Sequence, residues 1–339
     1  VAGGGASDVF GGVAAARFAV GAAPEAVAGV EATTLRAALA ADLGFARELF
    51  GRLEAAGQEK VARPLAAANT ARATEGFAIR VAGKADRPIL LQNGPAMART
   101  LVRVEAGAEA TLIETGSVGV GCIEIDLCPG AVLHHVRLQD GATPTATHLF
   151  ARLGAGAALR TFTLGMDGAV TRNEVVAELV GDHASLHVGG AVLATGDSHA
   201  DNTVFVTHAG QHGQSRQVFK NVVDGRARAV FQGKIFVRPG AQKTDGYQIS
   251  QAILLAEGAT FSAKPELEIY ADDVACSHGS TTGAIDEEAL FYLRARGLPR
   301  REAEALLVAA FVDEAVTEVE DAALGDILRA QIAGWMARR

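Results

Sequence analysis

The chain of 339 residues has few aromatic side chains, 5% of the total with one tryptophan, and only three cysteines. Cys122, Cys128 and Cys276 are an odd set with no framework spacing. This excludes a small secreted fold stapled by disulfides. No run of 18 apolar residues occurs, so no membrane-spanning helix is expected. Residues 1–7 have neither a basic nor an apolar leader region, so no secretory signal is expected and the chain reads as cytoplasmic. Basic runs are also missing, and the net charge is -8. Phosphate backbones require clustered Lys and Arg, so no nucleic-acid partner is expected. A phosphate-binding loop is absent as well. Gly233-Lys234 is followed by Ile235, and Arg228 stands where the leading glycine belongs. The glycines of Gly116-Ser117-Val118-Gly119-Val120-Gly121 are in the wrong order for a dinucleotide fingerprint, and no helix is expected after them. No nucleotide is expected on this chain.

What is present is small and aliphatic. The apolar residues make up 49% and are chiefly Ala, Val, Leu and Ile, alongside 39 glycines. Between about residues 88 and 270, short β-rich runs alternate with glycine turns: 110–114, 123–127, 132–138, 159–164, 175–180, 204–207 and 235–237. Gly107-Ala108, Gly130-Ala131, Gly156-Ala157, Gly240-Ala241 and Gly258-Ala259 repeat one turn signal. The first three stand 23 and 26 residues apart. A glycine turn with a period in the twenties that feeds short strands predicts a parallel β-solenoid. The alternative is an antiparallel sandwich, whose turns recur at 8 to 12 residues. The missing helical patterns between strands exclude a βαβ sheet, and the missing six-residue repeat excludes a left-handed hexapeptide helix. The fold class predicted is an all-β core, a parallel β-helix over 88–270, between helical regions at 1–87 and 271–339.

In the flanks, residues 8–57 read as helical. Leu39, Leu43, Ala46, Phe50 and Leu53 form a one-sided stripe weakened by Gly44 and Gly51. Residues 57–83 are Ala-rich and poorly patterned. From Asp286, an N-cap residue, a helix runs to Arg294, Arg296 and Gly297, which make a C-terminal signature. Pro299 opens a second helix with Ala303, Leu306, Leu307, Ala310 and Phe311 on one face. A third carries Leu324, Ile327, Leu328, Ile332 and Trp335.

The chemistry concentrates at Cys276-Ser277-His278, the one Cys-x-His element. In an extended chain residues i and i+2 share a face, so a thiolate and an imidazole could reach one ion, zinc or iron by softness. Two ligands are half a site at most. The structural reading is a small thiol beside a hydrogen-bonded histidine. His183/His187 and His208/His212 have a spacing of four, but Ala184 and Ala209 occupy the place where a zincin needs Glu, so rung and loop histidines are expected. Cys122 and Cys128 read as core thiols. Asp272 and Asp273 would be a carboxylate pair only if adjacent strand residues shared a face, which they do not.

The same stretch carries a resemblance. Asp272-Asp273-Val274-Ala275-Cys276-Ser277-His278-Gly279-Ser280-Thr281, then Asp286-Glu287-Glu288-Ala289-Leu290-Phe291-Tyr292-Leu293-Arg294-Ala295-Arg296-Gly297, resembles the SufB/SufD family of the SUF iron–sulfur cluster assembly machinery, in its SufD wording. Segments 231–235, 240–248 and 267–270 fit the same family. The match is dense over 219–311, looser over 88–219 and weak over the first 80 or so residues. SufB proteins have a Glu-His-Glu element in place of Cys-Ser-His-Gly. The resemblance implies a right-handed β-helix and a non-catalytic scaffold subunit that contributes to iron entry. It also implies a heterodimer with SufB through the β-helix, or a homodimer when isolated. His278, and less strongly Cys276, would lie at the SufB interface, sharing a transient iron or iron–sulfur cluster with a SufB cysteine. The ATPase SufC would dock on the C-terminal helices around Phe291, Arg294, Arg296 and Gly297. Two other readings of the residues remain: a β-helix enzyme acting on carbohydrate polymers, which needs a charged groove along one face, and a metal-storage or zinc-binding structural protein.

Overall fold

The computed structural model describes residues 9–57, 61–94, 97–116, 119–139, 141 and 143–338. Residues 1–7 and the Ser117-Val118 part of the glycine segment lie outside the described residues. Among the described residues, strands form two nine-stranded sheets between which the chain alternates. Sheet A holds, in spatial order, β1 (Ala16–Ala19), β4 (Ile89–Gln92), β6 (Glu109–Thr115), β8 (Val132–Gln139), β10 (Ala158–Met166), β12 (Ser185–Ala194), β14 (Gln214–Val223), β16 (Asp245–Leu254) and β18 (Ala275–Gly283). Sheet B runs from β17 (Thr260–Ile269) through β15 (Arg228–Val237), β13 (His199–His208), β11 (Val170–Leu179), β9 (Thr145–Leu153), β7 (Val120–Leu127), β5 (Ala98–Val104) and β3 (Phe77–Val81) to β2 (Val30–Thr34). All pairings are parallel except β2 with β3. This is a parallel β-solenoid, and every predicted β-run falls in one of its strands, with Val180 alone lying one residue past the end of β11.

The turn signal explains the winding. Glu109 pairs with Val132, Val132 with Ala158, Ala158 with Ser185, Ser185 with Gln214, Gln214 with Asp245, and Asp245 with Ala275. The coil therefore lengthens from 23 and 26 residues to 27, 29, 31 and 30. At the corner entering sheet A, Gly107, Gly130 and Gly156 adopt φ of 69°, 69° and 65°. The residue after each, Ala108, Ala131 or Ala157, is buried where a larger side chain would strike the core. The later coils keep this left-handed corner without glycine: His183, His212 and Lys243 have φ of 58°, 55° and 61°. Each corner residue donates its N–H to the next coil, from Gly107 to Pro129 O through His183 to Gln211 O, His212 to Gln242 O and Lys243 to Asp273 O.

Between the sheets the core is aliphatic, with columns such as Leu133, Leu159 and Leu186 in register. Burying such columns, at about 25 cal/mol per Å², is the main driving force for stacking coils.

The N-terminal segment departs from the helical expectation for residues 8–57. Strands β1 and β2 come first, and only then three short helices, α1 (Leu35–Ala40), α2 (Gly44–Leu49) and α3 (Arg52–Gly57). Asp42 and Gly51, at φ of 50° and 70°, break the Leu39-to-Leu53 stripe, since a left-handed residue ends a right-handed helix. A fourth helix, α4 (Pro64–Arg72), follows with proline in its first turn. Helices α3 and α4 lie on β7 and β9 of sheet B.

At the other end are α5 (Glu287–Ala295), α6 (Arg300–Val316) and α7 (Ala322–Arg338). Asp286 caps α5, accepting from the N–H groups of Glu288 and Ala289 at 2.9 and 3.1 Å. Gly297, at φ 92°, ends the turn after it. Helices α6 and α7 bury Val308, Val312, Leu324, Leu328, Ile332 and Trp335 against Val136, Leu138, Phe162, Leu164 and Val222 on the outer face of sheet A. The face of α6 differs from the predicted stripe. Leu306 is 53% exposed and Ala310 is exposed, because the sheet takes the side that carries Val308, Val312 and Val316. No described helix is long and apolar enough to cross a membrane.

Candidate functional site at the end of the solenoid

The inward columns change character towards the C-terminal coil. The Leu133–Leu159–Leu186 column continues as Ser215, Gly246 and Cys276, and the His135–Thr161–Val188 column as Gln217, Gln248 and His278. The next column ends in Phe219, Ser250 and Ser280. Ser215, Gln217, Gln248 and Ser250 are buried. Across the interior, His208 Nε2 lies 2.8 Å from Ser215 Oγ, and Gln248 Nε2 donates to Gly233 O at 3.4 Å. Among the described residues, both amide atoms of Gln217, Oε1 of Gln248, Oγ of Ser250 and Nδ1 of His208 have no hydrogen-bond partner. The interior beneath the last coil is thus polar where the earlier coils are aliphatic. Burial also pushes His208 down to about 4, which keeps it neutral. The sequence reading expected His208 as a rung histidine but missed Ser215, Gln217, Gln248 and Ser250. Their one signal is polar side chains at every second position of 215–217 and 248–250, in phase with the core.

Strands β17 and β18 stand at the ends of their sheets, each bonded to one neighbour. Both are largely exposed. The stretch singled out in the sequence is therefore extended, as its spacing argued, and it forms the outermost coil. Cys276 and His278 share the face of β18 that continues the inward columns, in register with Gly246 and Gln248. Cys276 is half-buried. Its Sγ would lie 3.2 Å from a Cβ built on Gly246, so the glycine makes room for the sulfur. Burial raises the thiol above the ordinary range, partly opposed by a backbone hydrogen bond at Gly246. His278 is exposed and stands in register with Gln248 of the preceding coil. Among the described residues no group of three His, Cys, Asp or Glu could hold a metal ion. The last coil thus presents two potential soft ligands on one face and no third.

The other constellations resolve differently. Cys122 is buried, and desolvation pushes its thiol up to about 12. Cys128 is likewise raised by burial, and its Sγ lies 3.7 Å from Glu105 Oε2. All three cysteines are free. The histidines of spacing four do not pair with each other. His208 faces inward, His187 faces outward 3.1 Å from Glu318, and His183 stacks on His212 of the following coil. Asp273 pairs with Lys243, and its N–H donates to Gln242 Oε1 at 3.0 Å, so it closes a corner instead of facing Asp272 across a cleft.

On α5, Phe291 is 74% and Tyr292 55% exposed, and Arg294, Arg296 and Gly297 are exposed with them. The Arg296 guanidinium lies over the Tyr292 ring at 3.5 Å. An apolar and cationic patch on a helix anchored by Leu290 alone is a surface suited to a partner.

Comparison with known proteins gives a consistent assignment. Residues 90–311 match the family described as SUF system FeS cluster assembly, SufBD core domain. The chain is 34% identical over 242 residues to the iron–sulfur cluster assembly protein SufD of Escherichia coli, covering 67% of this chain and 56% of that protein. It is 29% identical over 302 residues to a SufBD family protein of Synechocystis, covering 83% and 65% respectively. With Protein ABCI7, chloroplastic, of Arabidopsis thaliana, it shares 28% over 252 residues, covering 70% and 52%. The chain thus spans between about half and two thirds of the length of these relatives.

Proposed function

Because the chain belongs to the SufB/SufD core-domain family of the SUF iron–sulfur cluster assembly system, we propose that it is a SufD-like scaffold subunit, without turnover of its own, that contributes iron-binding groups to a cluster site shared with a SufB-type subunit. The observation that carries this reading is the outermost coil. Cys276 and His278 share one face of a strand at the end of its sheet, and among the described residues no third ligand completes a site with them. An ion there needs ligands from another chain, and an unpaired strand edge is a ready surface for adding one.

His278 leads in this arrangement. A neutral imidazole binds iron without losing a proton, whereas a thiol must be deprotonated first, and burial opposes that at Cys276. Iron or a nascent cluster is cargo here, passed on to other proteins. In the absence of a SufB-type subunit, two copies of this chain would pair through the same coil. Nucleotide hydrolysis belongs to a SufC-type ATPase, docked on Phe291, Arg294, Arg296 and the Gly297 turn of α5. The compartment is the cytoplasm.

The test is co-expression with the SufB-type and SufC-type partners, followed by iron and sulfide analysis of the purified complex. His278→Ala should leave the complex assembled and lower its cluster content. Cys276→Ser should have a smaller effect. Full iron and sulfide content in the His278→Ala complex would remove His278 from the site.

A further inference from the structure

The corner ladder entering sheet A carries a feature that the scaffold role does not use. Three of its coils turn on Gly107, Gly130 and Gly156, and the next two turn on His183 and His212. A left-handed backbone costs a non-glycine residue about 1 kcal/mol, so side chains at these corners work against the turn. Yet two successive coils carry one, and both times it is an imidazole. The register makes the pairing: Ser185 aligns with Gln214, so residues 29 apart are neighbours on adjacent coils. The rings stack with centroids 4.6 Å apart and planes inclined by 10°. Both residues are exposed, and neither ring has a hydrogen bond or ion pair among the described residues. Around them, Asp182 Oδ1 accepts from Gln211 N–H at 2.8 Å, and the Lys243 ammonium on the next coil is turned to Asp273.

We propose that His183 and His212 form a surface site for a divalent transition-metal ion. Two imidazole nitrogens bound to one tetrahedral ion at zinc-like distances lie about 3.3 Å apart. The rings are already neighbours, with centroids 4.6 Å apart, and rotation of the two exposed side chains about their χ angles turns one nitrogen of each towards a common point. No third His, Cys, Asp or Glu completes the set among the described residues, so water fills the remaining positions. A site of two neutral nitrogens selects imidazole-preferring cations, with Cu²⁺ above Zn²⁺ and Zn²⁺ above Fe²⁺, and it passes over Mg²⁺ and Ca²⁺. The ladder that holds both histidines continues through Lys243 to Asp273 O, three residues before Cys276. The cation is thereby held on the same edge of the solenoid as the last coil.

The experiment uses the full chain with Cys276→Ser and His278→Ala, which removes the other soft ligands. Zn²⁺ is titrated against a chromophoric chelator, and bound Cu²⁺ is examined by electron paramagnetic resonance. This background should still bind Zn²⁺ and should show nitrogen couplings from two imidazoles on Cu²⁺. His183→Asn and His212→Asn keep a residue that tolerates the left-handed corner. Each should weaken Zn²⁺ binding about tenfold or more, a loss of about 1.4 kcal/mol, with an unchanged circular dichroism melt. Zn²⁺ affinity unaltered in both Asn variants, or a single nitrogen coupling in the background chain, overturns the proposal.

Discussion

Arg99 and Glu124, on neighbouring strands of sheet B, form an ion pair in which neither side chain reaches solvent. Glu124 also accepts the N–H groups of Gly51, Leu53 and Glu54 at 2.7, 2.9 and 3.2 Å, so one carboxylate both pairs with the arginine and caps α3. Arg99 in turn reaches Asn69 and Thr70 of α4. The pair is the rivet that fastens the N-terminal helices to the solenoid. Glu124→Gln strands a buried guanidinium and should cost about 3–5 kcal/mol. Denaturant unfolding measures the loss. Limited proteolysis should show new cutting within residues 50–57. A variant as stable as the parent would mean that the helices are held by apolar contact alone.

Acid should destabilise the protein through His208. Burial holds it at about 4, below its ordinary 6.5. Between these values the unfolded chain binds a proton that the folded chain refuses, so stability rises with pH in that window. The contribution is complete above pH 6.5 and is lost as pH falls towards 4, for a total of about 3 kcal/mol. Glu174, drawn down to about 2 by His148 and Arg172 despite its burial, loses its own contribution below its ordinary 4.5. Equilibrium unfolding at a series of pH values should show the slope. In His208→Gln the slope between pH 6.5 and 4 should shrink by His208's share.

Two glycines should separate backbone strain from steric exclusion. Gly156 needs φ of 65°, and nothing lies within 4 Å of a Cβ built on it, so Gly156→Ala should cost about 1 kcal/mol. A Cβ on Gly181 would fall 1.9 Å from Ala155 N, inside the backbone of the preceding coil. Gly181→Ala should therefore cost about 3 kcal/mol or more. Thermal melts of the two variants give the comparison, and equal losses would refute the distinction.

Docking of an ATPase on the C-terminal helices is best tested with surface variants, because removing residues 286–339 would bare Val136, Leu138, Phe162 and Leu164 on sheet A. Such a truncation should aggregate. Phe291→Ala and Arg294→Glu touch exposed side chains and should leave the melt unchanged while weakening capture of a SufC-type ATPase in a pull-down. Undiminished capture by the double variant would move the contact elsewhere.

Much of the solenoid is legible in the sequence because its rule is local. A left-handed corner favours glycine, and the buried position after it favours a small residue, so Gly-Ala marks the coils. After Gly156 the signal misleads: His183, His212 and Lys243 take the corner at a modest cost, while Gly240-Ala241 and Gly258-Ala259 stand away from it and neither glycine is left-handed. The Cys276–His278 pairing is legible for a similar reason, since alternation along a strand is a property of the chain itself. The face of α6 was hidden because Leu306 and Val308 are both apolar, and only the position of sheet A decides between them. Arg99 and Glu124, or the buried Gln217 and Gln248, read as ordinary surface residues until coils a full turn apart in sequence are brought into register.

The exposed edges of β17 and β18 also govern how the molecule comes apart. In a stack where each coil is held chiefly by its neighbours, an interior coil has two such interfaces and the terminal coil has one. Opening should therefore begin at β18, and amide protons of residues 275–283 should exchange earlier than those of β10 and β12. If the partner proposed above adds to this edge, β18 gains its second interface on binding, and docking would be read out as slowed exchange of residues 275–283 in a single hydrogen-exchange measurement.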